Sequence, residues 1–330
     1  MVGFGIFGCG RIGRVHASNI AAHPRAKLVA CYDTVDTASA SMAAELGPRQ
    51  ARSVEDLLQD PQVHAVFVTS ITATHIDLIS RAVRAGKPVF CEKPVDLDIA
   101  RVDACWAEIG ATNPLVMLGF NRRFDPSFRT LRDRVSAGEI GGVEQVVITS
   151  RDPSPPPAQY VAASGGLFRD MTIHDFDMAR YLAGEIVEVQ AMGANLIDPA
   201  IGAAGDIDAA MLIMRAASGA LVHINNSRRC AYGYDQRIEV FGAAGMLQAH
   251  NRHLTTIEAW GSERTHAMDP VQDFFIARYA EAYRAELDHF IDCIETGAAP
   301  LAGFADGREA LRLADAALES AATGRSVRLA

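Results

Sequence analysis

The feature that most constrains this chain is a glycine-rich turn near its start. A short apolar stretch, VGFGIF, runs into Gly8-Cys9-Gly10-Arg11-Ile12-Gly13 and then into a helical pattern. In such a strand–turn–helix, Gly8 allows the tight turn, Gly10 lets a pyrophosphate approach the backbone, and Gly13 lets helix and strand pack closely. Backbone N–H groups at the helix start attract the phosphates. The predicted cofactor contacts of this turn are Gly8, Gly10, Arg11, Ile12 and Gly13.

An acidic residue at a suitable distance strengthens the prediction, because the glycine pattern alone is a weak signal. A second strand-like stretch, KLVACYD, ends in Asp33, twenty positions after Gly13. A carboxylate there would bind the ribose 2′-hydroxyl. No arginine follows directly in DTVDTAS, which favours NAD over NADP. The alternative is that the glycines form only a turn and that Asp33 caps the next helix.

Strand-like and helical stretches then alternate. HAVFVTS, PVFCEK and LVMLGF read as strands, and HIDLISRAVRAG reads as a helix between the first two. This alternation predicts an α/β domain with a parallel, doubly wound sheet. Ligands of such sheets bind beyond the carboxyl ends of the strands. The further cofactor contacts predicted by this rule are Ser70, Thr72, His75, Glu92, Lys93 and Asn121.

Lys93 is the first candidate catalytic residue. It ends a predicted strand, and the following Pro94 cannot continue the ladder of hydrogen bonds. An ammonium group held there would stabilise a developing alkoxide next to a nicotinamide. A solvent-facing lysine at a strand end would give the same sequence, so the local pattern leaves both interpretations open.

Asp170 and His174 are the second candidate pair, in the segment GGLFRDMTIHDFDMARYL. Their spacing of four predicts that they lie on the same face of a helix. Imidazole titrates near neutrality and can act as a general base, while a carboxylate can orient the ring or contact a substrate hydroxyl. The alternative for Asp170 is an ordinary helix N-cap. Asp175 and Asp177 receive no role from the sequence.

The pattern changes after residue 121, which predicts a division into domains 1–121 and 122–330. The strand-like stretches of the second domain are VEQVVITSRD, IVEVQAMGAN, IDAAMLIMRAASGALVHINNS, QRIEVFGAAGMLQAH and LTTIEAW. ASG and GAAG supply hairpin turns, so the second domain is predicted to be α+β with a large, mostly antiparallel open sheet. One face of this sheet would cover a substrate and the other a partner subunit. The last helix is expected to pack back on the first domain.

Three motifs in this order resemble the Gfo/Idh/MocA family of Rossmann sugar and polyol dehydrogenases: Gly8 to Gly13, Glu92-Lys93-Pro94 and Asp170-x-x-x-His174. The resemblance spans the whole chain. GFNRRFDPSF, GGLFRDMTIHDFDMARYL and NNSRRCAYGYDQRIEVFG are most similar to the inositol 2-dehydrogenase branch. One departure is SITATH, where Ile71 stands in place of the proline that relatives usually carry.

The resemblance implies NAD-dependent oxidation of a cyclic polyol, myo-inositol to its 2-keto compound (scyllo-inosose). His174 would be the general base, Lys93 would polarise the reacting oxygen, and the enzyme would be a homo-oligomer, a tetramer or a dimer. The substrate contacts implied by the resemblance are Lys93, Arg123, Asp152, Asp170, His174 and Tyr234.

Several alternatives stay open beside this implication. Arg123 could form a structural ion pair, and Tyr234, favoured here over Tyr232, could be an aromatic side chain packed on the sheet. The substrate could be scyllo-inositol or another sugar. The protein could also be a glycosidase that uses bound NAD as an internal redox catalyst, or a sugar sensor without catalysis.

Composition excludes several classes of function. The 330 residues carry a net charge of −9 and no basic run, which argues against a nucleic-acid partner. No basic segment with a long apolar core opens the chain, and no apolar run reaches about 18 residues, so we expect neither secretion nor a membrane span. Six dispersed cysteines without a Cys-x-x-Cys motif fit a reducing cytoplasm and predict neither a disulfide framework nor a metal site.

Overall fold

The computed structural model describes residues 1–329, and in it the chain forms two compact units. The first contains Met1–Phe124 and Ala282–Leu311, and the second contains Asp125–Glu281 and the chain from Arg312 onwards. The first boundary lies three residues from the predicted division at 121/122. The return of residues 282–311 to the first unit differs from that simple division, which had only the last helix returning.

The first unit contains a six-stranded parallel sheet in the order β3-β2-β1-β4-β5-β6. Its strands are β1 Val2–Phe7, β2 Ala26–Tyr32, β3 Arg49–Gln50, β4 Ala65–Val68, β5 Val89–Cys91 and β6 Val116–Leu118. Its helices are α1 Arg11–Ala22, α2 Asp36–Leu46, α3 Val54–Leu58, α4 His75–Arg84 and α5 Ile99–Ile109. The central strands are fully buried, as their continuous apolar runs indicate. The predicted doubly wound parallel sheet is confirmed.

An aromatic core explains why the chain returns to the first unit. Phe67 of β4 stacks on Phe90 of β5 with ring centroids 4.5 Å apart. Phe290 packs edge-on against Phe67 at 5.7 Å, and its ring is tilted against that of Phe4 of β1 at 6.0 Å. Phe290 belongs to a helix far along the chain, so this helix supplies apolar surface that the first 124 residues alone would leave uncovered.

The second unit contains a seven-stranded sheet in the order β12-β11-β7-β10-β9-β8-β15, which is antiparallel except for the pairing of β7 with β10. Its strands are β7 Val143–Arg151, β8 Ile186–Ala194, β9 Ala209–Ala216, β10 Leu221–Ser227, β11 Asp235–Gly242, β12 Gly245–Ala249 and β15 Val327–Arg328. Two further strands, β13 Glu258–Ala259 and β14 Ala267–Met268, form a separate small hairpin. The mostly antiparallel sheet is confirmed, although LTTIEAW forms only the two-residue β13.

The remaining helices are α6 Pro126–Ser136, α7 Ala158–Ser164, α8 Ile173–Ala183, α9 Pro199–Ala203, α10 Phe275–Arg278, α11 Ala280–Thr296 and α12 Phe304–Thr323. Most of α11 belongs to the first unit, and α12 begins in the first unit and ends in the second. The packing of the closing helix on the first domain stays a prediction.

Strand register places one set of apolar side chains on a single exposed face of the seven-stranded sheet. Met192 pairs with Met211, and Phe241 pairs with Met246. Alternate residues of β9 point to opposite faces, so Leu212 and its neighbours bury the other face. We call the exposed side the outer face, and its large apolar residues are Met192, Met211, Ile213, Leu221, Phe241 and Met246.

Three further features of the structure concern membrane-spanning helices, cysteines and metal binding. Within residues 1–329, no helix has the length and apolar character needed to cross a membrane. All six cysteines are buried free thiols. Across the same residues, no group of three or more His, Cys, Asp and Glu side chains is arranged to hold a metal ion.

Candidate active site

The glycine-rich turn has the geometry that a dinucleotide requires. Gly8 adopts a φ of +94°, and a Cβ there would lie 2.5 Å from the backbone nitrogen of Ser70. A Cβ on Gly13 would lie 2.1 Å from the carbonyl oxygen of Gly8, so a side chain would separate α1 from β1. By contrast, no described atom lies within 4 Å of a Cβ on Gly10, which is the N-cap of α1. The open side of Gly10 at a helix N-terminus fits a pyrophosphate.

Asp33 is fixed beside this turn. Its Oδ2 accepts a hydrogen bond from the backbone N–H of Cys9 at 2.7 Å, and its Oδ1 accepts one from Val35 at 2.8 Å. The N-cap of α2 is Val35, without a side-chain cap bond, so Asp33 is not the helix cap that the alternative required. A carboxylate has about four acceptor positions, so Asp33 can still bind ribose hydroxyls.

His75 joins two loops at the carboxyl end of the sheet. Its Nδ1 lies 2.8 Å from the carbonyl oxygen of Pro94, and its Nε2 lies 3.0 Å from that of Ser70. Burial lowers the pKa of His75, and a neutral ring has one N–H, which it can donate to one of these carbonyls at a time. His75 therefore holds the Ser70 loop against the loop that follows β5. A direct contact with the cofactor stays a prediction.

The same loop exposes part of its surface. Thr72 begins a short 3₁₀ turn and is partly exposed, and the Ser70 hydroxyl lies 2.6 Å from that of Thr74. Ile71, which replaces the usual proline, is 73% exposed. Contacts of Ser70 and Thr72 with a cofactor are still predictions.

Glu92 anchors the backbone next to Lys93. Its buried carboxylate places Oε1 2.9 Å from Nε2 of His16, and Oε2 accepts the backbone N–H of Lys93 at 3.2 Å. Lys93 itself is partly exposed, lies two residues after the end of β5 rather than at the strand end as predicted, and is followed by a cis peptide bond to Pro94. Glu92 thus holds the backbone at Lys93 in place. Its contact with the cofactor stays a prediction.

Asn121 and Arg123 follow β6 and are both buried. Asn121 Oδ1 has no hydrogen-bond partner among the residues that the structure describes. A buried acceptor left in this way costs about 1–3 kcal/mol, which a donor on the cofactor would recover.

Arg123 donates to Asp306 Oδ1 at 2.9 Å and to the carbonyl oxygen of Leu301 at 2.5 Å. This is the structural ion pair that the sequence left open, so the substrate contact of Arg123 stays a prediction.

In the second unit, Asp170 lies in a π-helical turn, Phe168–Thr172, and the partly exposed His174 lies in the first turn of α8. The segment is therefore not one regular α-helix, and π turns are frequent at functional sites. The N-cap of α8 is Thr172, so the alternative reading of Asp170 as an N-cap does not apply. The Asp170 carboxylate instead accepts hydrogen bonds from the Tyr160 hydroxyl at 3.0 Å and from Arg228 at 3.2 Å.

A buried polar network holds α8 in place. Asp175 is completely buried and accepts hydrogen bonds from Ser150 of β7 at 2.6 Å and from Asn226 of β10 at 2.8 Å. Thr172 donates to Asn226 Oδ1 at 2.7 Å. Such a network of paired buried groups rigidifies its surroundings. Asp175, which the sequence left without a role, therefore fixes the helix that carries His174.

Arg228 is a site residue that the sequence did not identify. It follows β10, its side chain is 2% exposed, and its Nη1 lies 3.9 Å from Oδ2 of Asp152. Asp152 follows β7, and its backbone N–H donates to the carbonyl oxygen of Ser227 at 2.9 Å. Because β7 and β10 run parallel, their carboxyl ends coincide and bring both residues to Asp170. The parallel pairing was not predicted from the sequence, although Ser-Arg stands at the end of β7 and Ser227-Arg228 at the end of β10.

The two candidate tyrosines have different surroundings. Tyr234 is buried, and its ring packs edge-on against Tyr279 at 6.0 Å. Tyr232 is half exposed and donates to Asp235 Oδ2 at 2.6 Å. Arg151 donates to its hydroxyl at 2.7 Å. Partial burial and then the bond to Asp235 raise the pKa of Tyr232 to about 12. The preference for Tyr234 over Tyr232 stays a prediction.

Comparison with known proteins agrees with this geometry. Residues 2–120 match the model of an oxidoreductase family with an NAD-binding Rossmann fold, and residues 128–248 match the GFO/IDH/MocA C-terminal domain. The chain is 49% identical over 331 residues to inositol 2-dehydrogenase of Rhizobium meliloti strain 1021, covering 100% of this chain and 99% of the relative. It is 45% identical over 327 residues to myo-inositol 2-dehydrogenase of Thermotoga maritima, covering 98% of each.

A solved structure with bound ligands is also similar. Scyllo-inositol dehydrogenase from Lactobacillus casei, crystallised with NAD(H) and scyllo-inositol, superimposes with a TM-score of 0.92 at 32% identity, covering 99% of each chain. The predictions of an NAD-binding Rossmann domain and of an oxidoreductase are confirmed.

Proposed function

The chain belongs to the Gfo/Idh/MocA family of oxidoreductases, and on that premise we propose that it oxidises myo-inositol to 2-keto-myo-inositol. The observation that carries the proposal is the pair of carboxylates gathered at Arg228, Asp152 and Asp170. Carboxylates accept hydrogen bonds from hydroxyls, which are the only groups that a cyclic polyol offers. Two relatives that align with nearly the whole chain are an inositol 2-dehydrogenase and a myo-inositol 2-dehydrogenase.

Three side chains perform the proposed reaction. Bound NAD would supply the hydride acceptor for the carbon that carries the reacting hydroxyl. His174 accepts the hydroxyl proton at a ring nitrogen, since imidazole does so near neutral pH. Lys93 stabilises the negative charge that develops on the oxygen as this proton leaves. Asp170 orients the histidine or the substrate, and the product is a ketone.

The remaining assignments complete the proposed site. NAD would be held by the glycine-rich turn, by Asp33 and by the residues that follow β4, β5 and β6. Asp152 and Asp170 would read ring hydroxyls. Arg123 and Tyr234 have weaker support as substrate contacts. Arg123 forms an ion pair with Asp306, and the ring of Tyr234 packs against Tyr279.

A second candidate substrate is scyllo-inositol. Its support is the similarity to the Lactobacillus casei enzyme crystallised with that isomer. The two isomers differ in the orientation of one hydroxyl, so a small change in the position of a carboxylate would decide between them.

Formation of NADH by the purified protein tests the proposal. We expect turnover with myo-inositol, slower turnover with scyllo-inositol, and little with aldoses. Fastest turnover with another isomer would refute the substrate. Glycoside hydrolysis without net NADH would indicate internal use of the cofactor, and binding of sugar without any turnover would indicate a sensor.

We also propose that a second copy of the chain covers the outer face of the seven-stranded sheet. Six large apolar side chains are exposed there, and Met192, Met211 and Ile213 are each more than half exposed. Contiguous exposed apolar surface of this kind marks protein–protein contacts.

A further inference from the structure

Arg228 is a buried cation between two carboxylates. Both of its Nη atoms donate to Oδ2 of Asp170 at 3.2 Å, and Nη1 lies 3.9 Å from Oδ2 of Asp152. Its backbone N–H donates to the carbonyl oxygen of Asp208 at 2.8 Å, which fixes the main chain. Arg228 is therefore held both at its backbone and at the guanidinium end of its side chain.

The charges at this place depend on one another. Two carboxylates that share one cation repel each other, so their separation depends on the charge between them. A buried guanidinium without an anion is itself costly. Arg228 beside Asp152 and Asp170 resolves both difficulties, because one cation compensates two neighbouring anions.

We propose that Arg228 is a positioning residue that sets the distance between the carboxylates of Asp170 and Asp152. The inference rests on the proposed function, since these carboxylates are taken to bind ring hydroxyls. That distance determines which pair of hydroxyls on the ring is recognised. Arg228 thereby contributes to discrimination between inositol isomers without touching the substrate.

The bonding pattern supports this role. Asp170 receives both Nη atoms on Oδ2 and the Tyr160 hydroxyl on Oδ1. The planar fork of arginine makes two bonds at once, which a lysine ammonium cannot reproduce with the same geometry.

The first test compares Arg228→Met, Arg228→Lys and the control Arg229→Met, in which the neighbouring exposed arginine is changed. We expect Arg228→Met to lower kcat/KM for the preferred polyol about 100-fold, mainly through KM, with the Kd for NAD unchanged. Arg228→Lys should recover part of the loss and lose selectivity between isomers. A thermal melt identifies unfolded variants. Normal kcat/KM in a folded Arg228→Met protein would overturn the role.

A double-mutant cycle tests whether Arg228 acts through Asp170. We expect Asp170→Asn to cost less in the Arg228→Met background than in the native protein, because the positioned carboxylate is already lost. Additive losses would contradict the inference.

The crystal structure of Arg228→Met without substrate gives a readout that is independent of turnover. The Asp152 and Asp170 carboxylates should be displaced, and unchanged positions would refute the positioning role. Absence of any polyol oxidation by the native protein would refute the proposed function instead.

Discussion

Single side chains carry the proposed chemistry, and their removal has distinct consequences. His174→Ala and Lys93→Ala should each reduce kcat by about two orders of magnitude or more, the scale of general acid–base catalysis. The NAD Kd should change little for His174→Ala, because the cofactor is assigned to the first unit. Steady-state kinetics and fluorescence titration measure the two quantities. His250→Ala, a change of an exposed histidine, is the control, and near-native kcat in either test variant would remove its assigned role.

Glu286 is a residue whose charge state should be visible in stability. It is completely buried, and burial together with the charge of Glu92 raises its pKa well above the usual value. The folded state then retains a proton that the unfolded chain releases above about pH 4.5. Its contribution to stability is therefore present at low pH and declines as pH rises, by at most about 1.4 kcal/mol per pH unit.

Glu286→Gln should remove this decline. We expect the Tm of the variant to exceed that of the native protein increasingly from about pH 5 to pH 8, while Glu319→Gln, an exposed change on α12, has no such effect. Thermal melts across this range measure the difference. A constant gap between the native and variant Tm at all pH values would contradict a neutral Glu286.

At the scale of elements, two glycines of the same turn should separate stability from cofactor binding. A Cβ on Gly13 would meet the carbonyl oxygen of Gly8 at 2.1 Å, so Gly13→Ala should lower the free energy of unfolding by about 1–3 kcal/mol. Gly10 faces open space and has a φ of −74°, so Gly10→Ala should leave the stability of the free protein within about 0.5 kcal/mol. Its Cβ would instead obstruct the pyrophosphate and raise the Kd for NAD. Equal effects of both changes on the Tm would be inconsistent with this division.

The helix α8 is another element whose placement depends on buried polar groups. Asp175→Ala would leave Ser150 and Asn226 without their carboxylate partner. We expect a loss of about 2–4 kcal/mol in the free energy of unfolding and a lower kcat, because the helix that carries His174 loses its anchor. Urea titration and kinetics at a temperature where the variant is folded measure the two effects. Unchanged stability would show that the network does not hold the helix.

At the scale of the whole molecule, the outer face should decide the oligomeric state. A charge on this face, as in Ile213→Glu, should dissociate the expected dimer or tetramer, since burying an unpaired carboxylate is costly. Light scattering after gel filtration measures the mass. Ala44→Glu, an exposed change on α2, should leave the mass as it was. A native protein that is monomeric would refute the proposed interface.

Local sequence determined much of this protein. The glycine spacing, the strand–helix alternation and Asp33 predicted the NAD-binding Rossmann domain, and alternating apolar residues with ASG and GAAG turns predicted the second sheet. These signals are readable because each depends on neighbours along the chain: turn geometry, helix starts and side-chain periodicity. Lys93, Asp170 and His174 were identified in the same way, with their roles still to be tested.

Tertiary structure decided what depends on contacts between distant segments. Residues 282–311 return to the first unit because Phe290 packs on Phe4 and Phe67. Arg228 reaches Asp152 and Asp170 because β7 and β10 pair in parallel. Buried charged residues pair between strands and helices that are far apart in the chain, so a local sequence pattern does not predict these pairs. The residues of the proposed chemistry were therefore visible in the sequence, whereas the residues that position them became visible only in the fold.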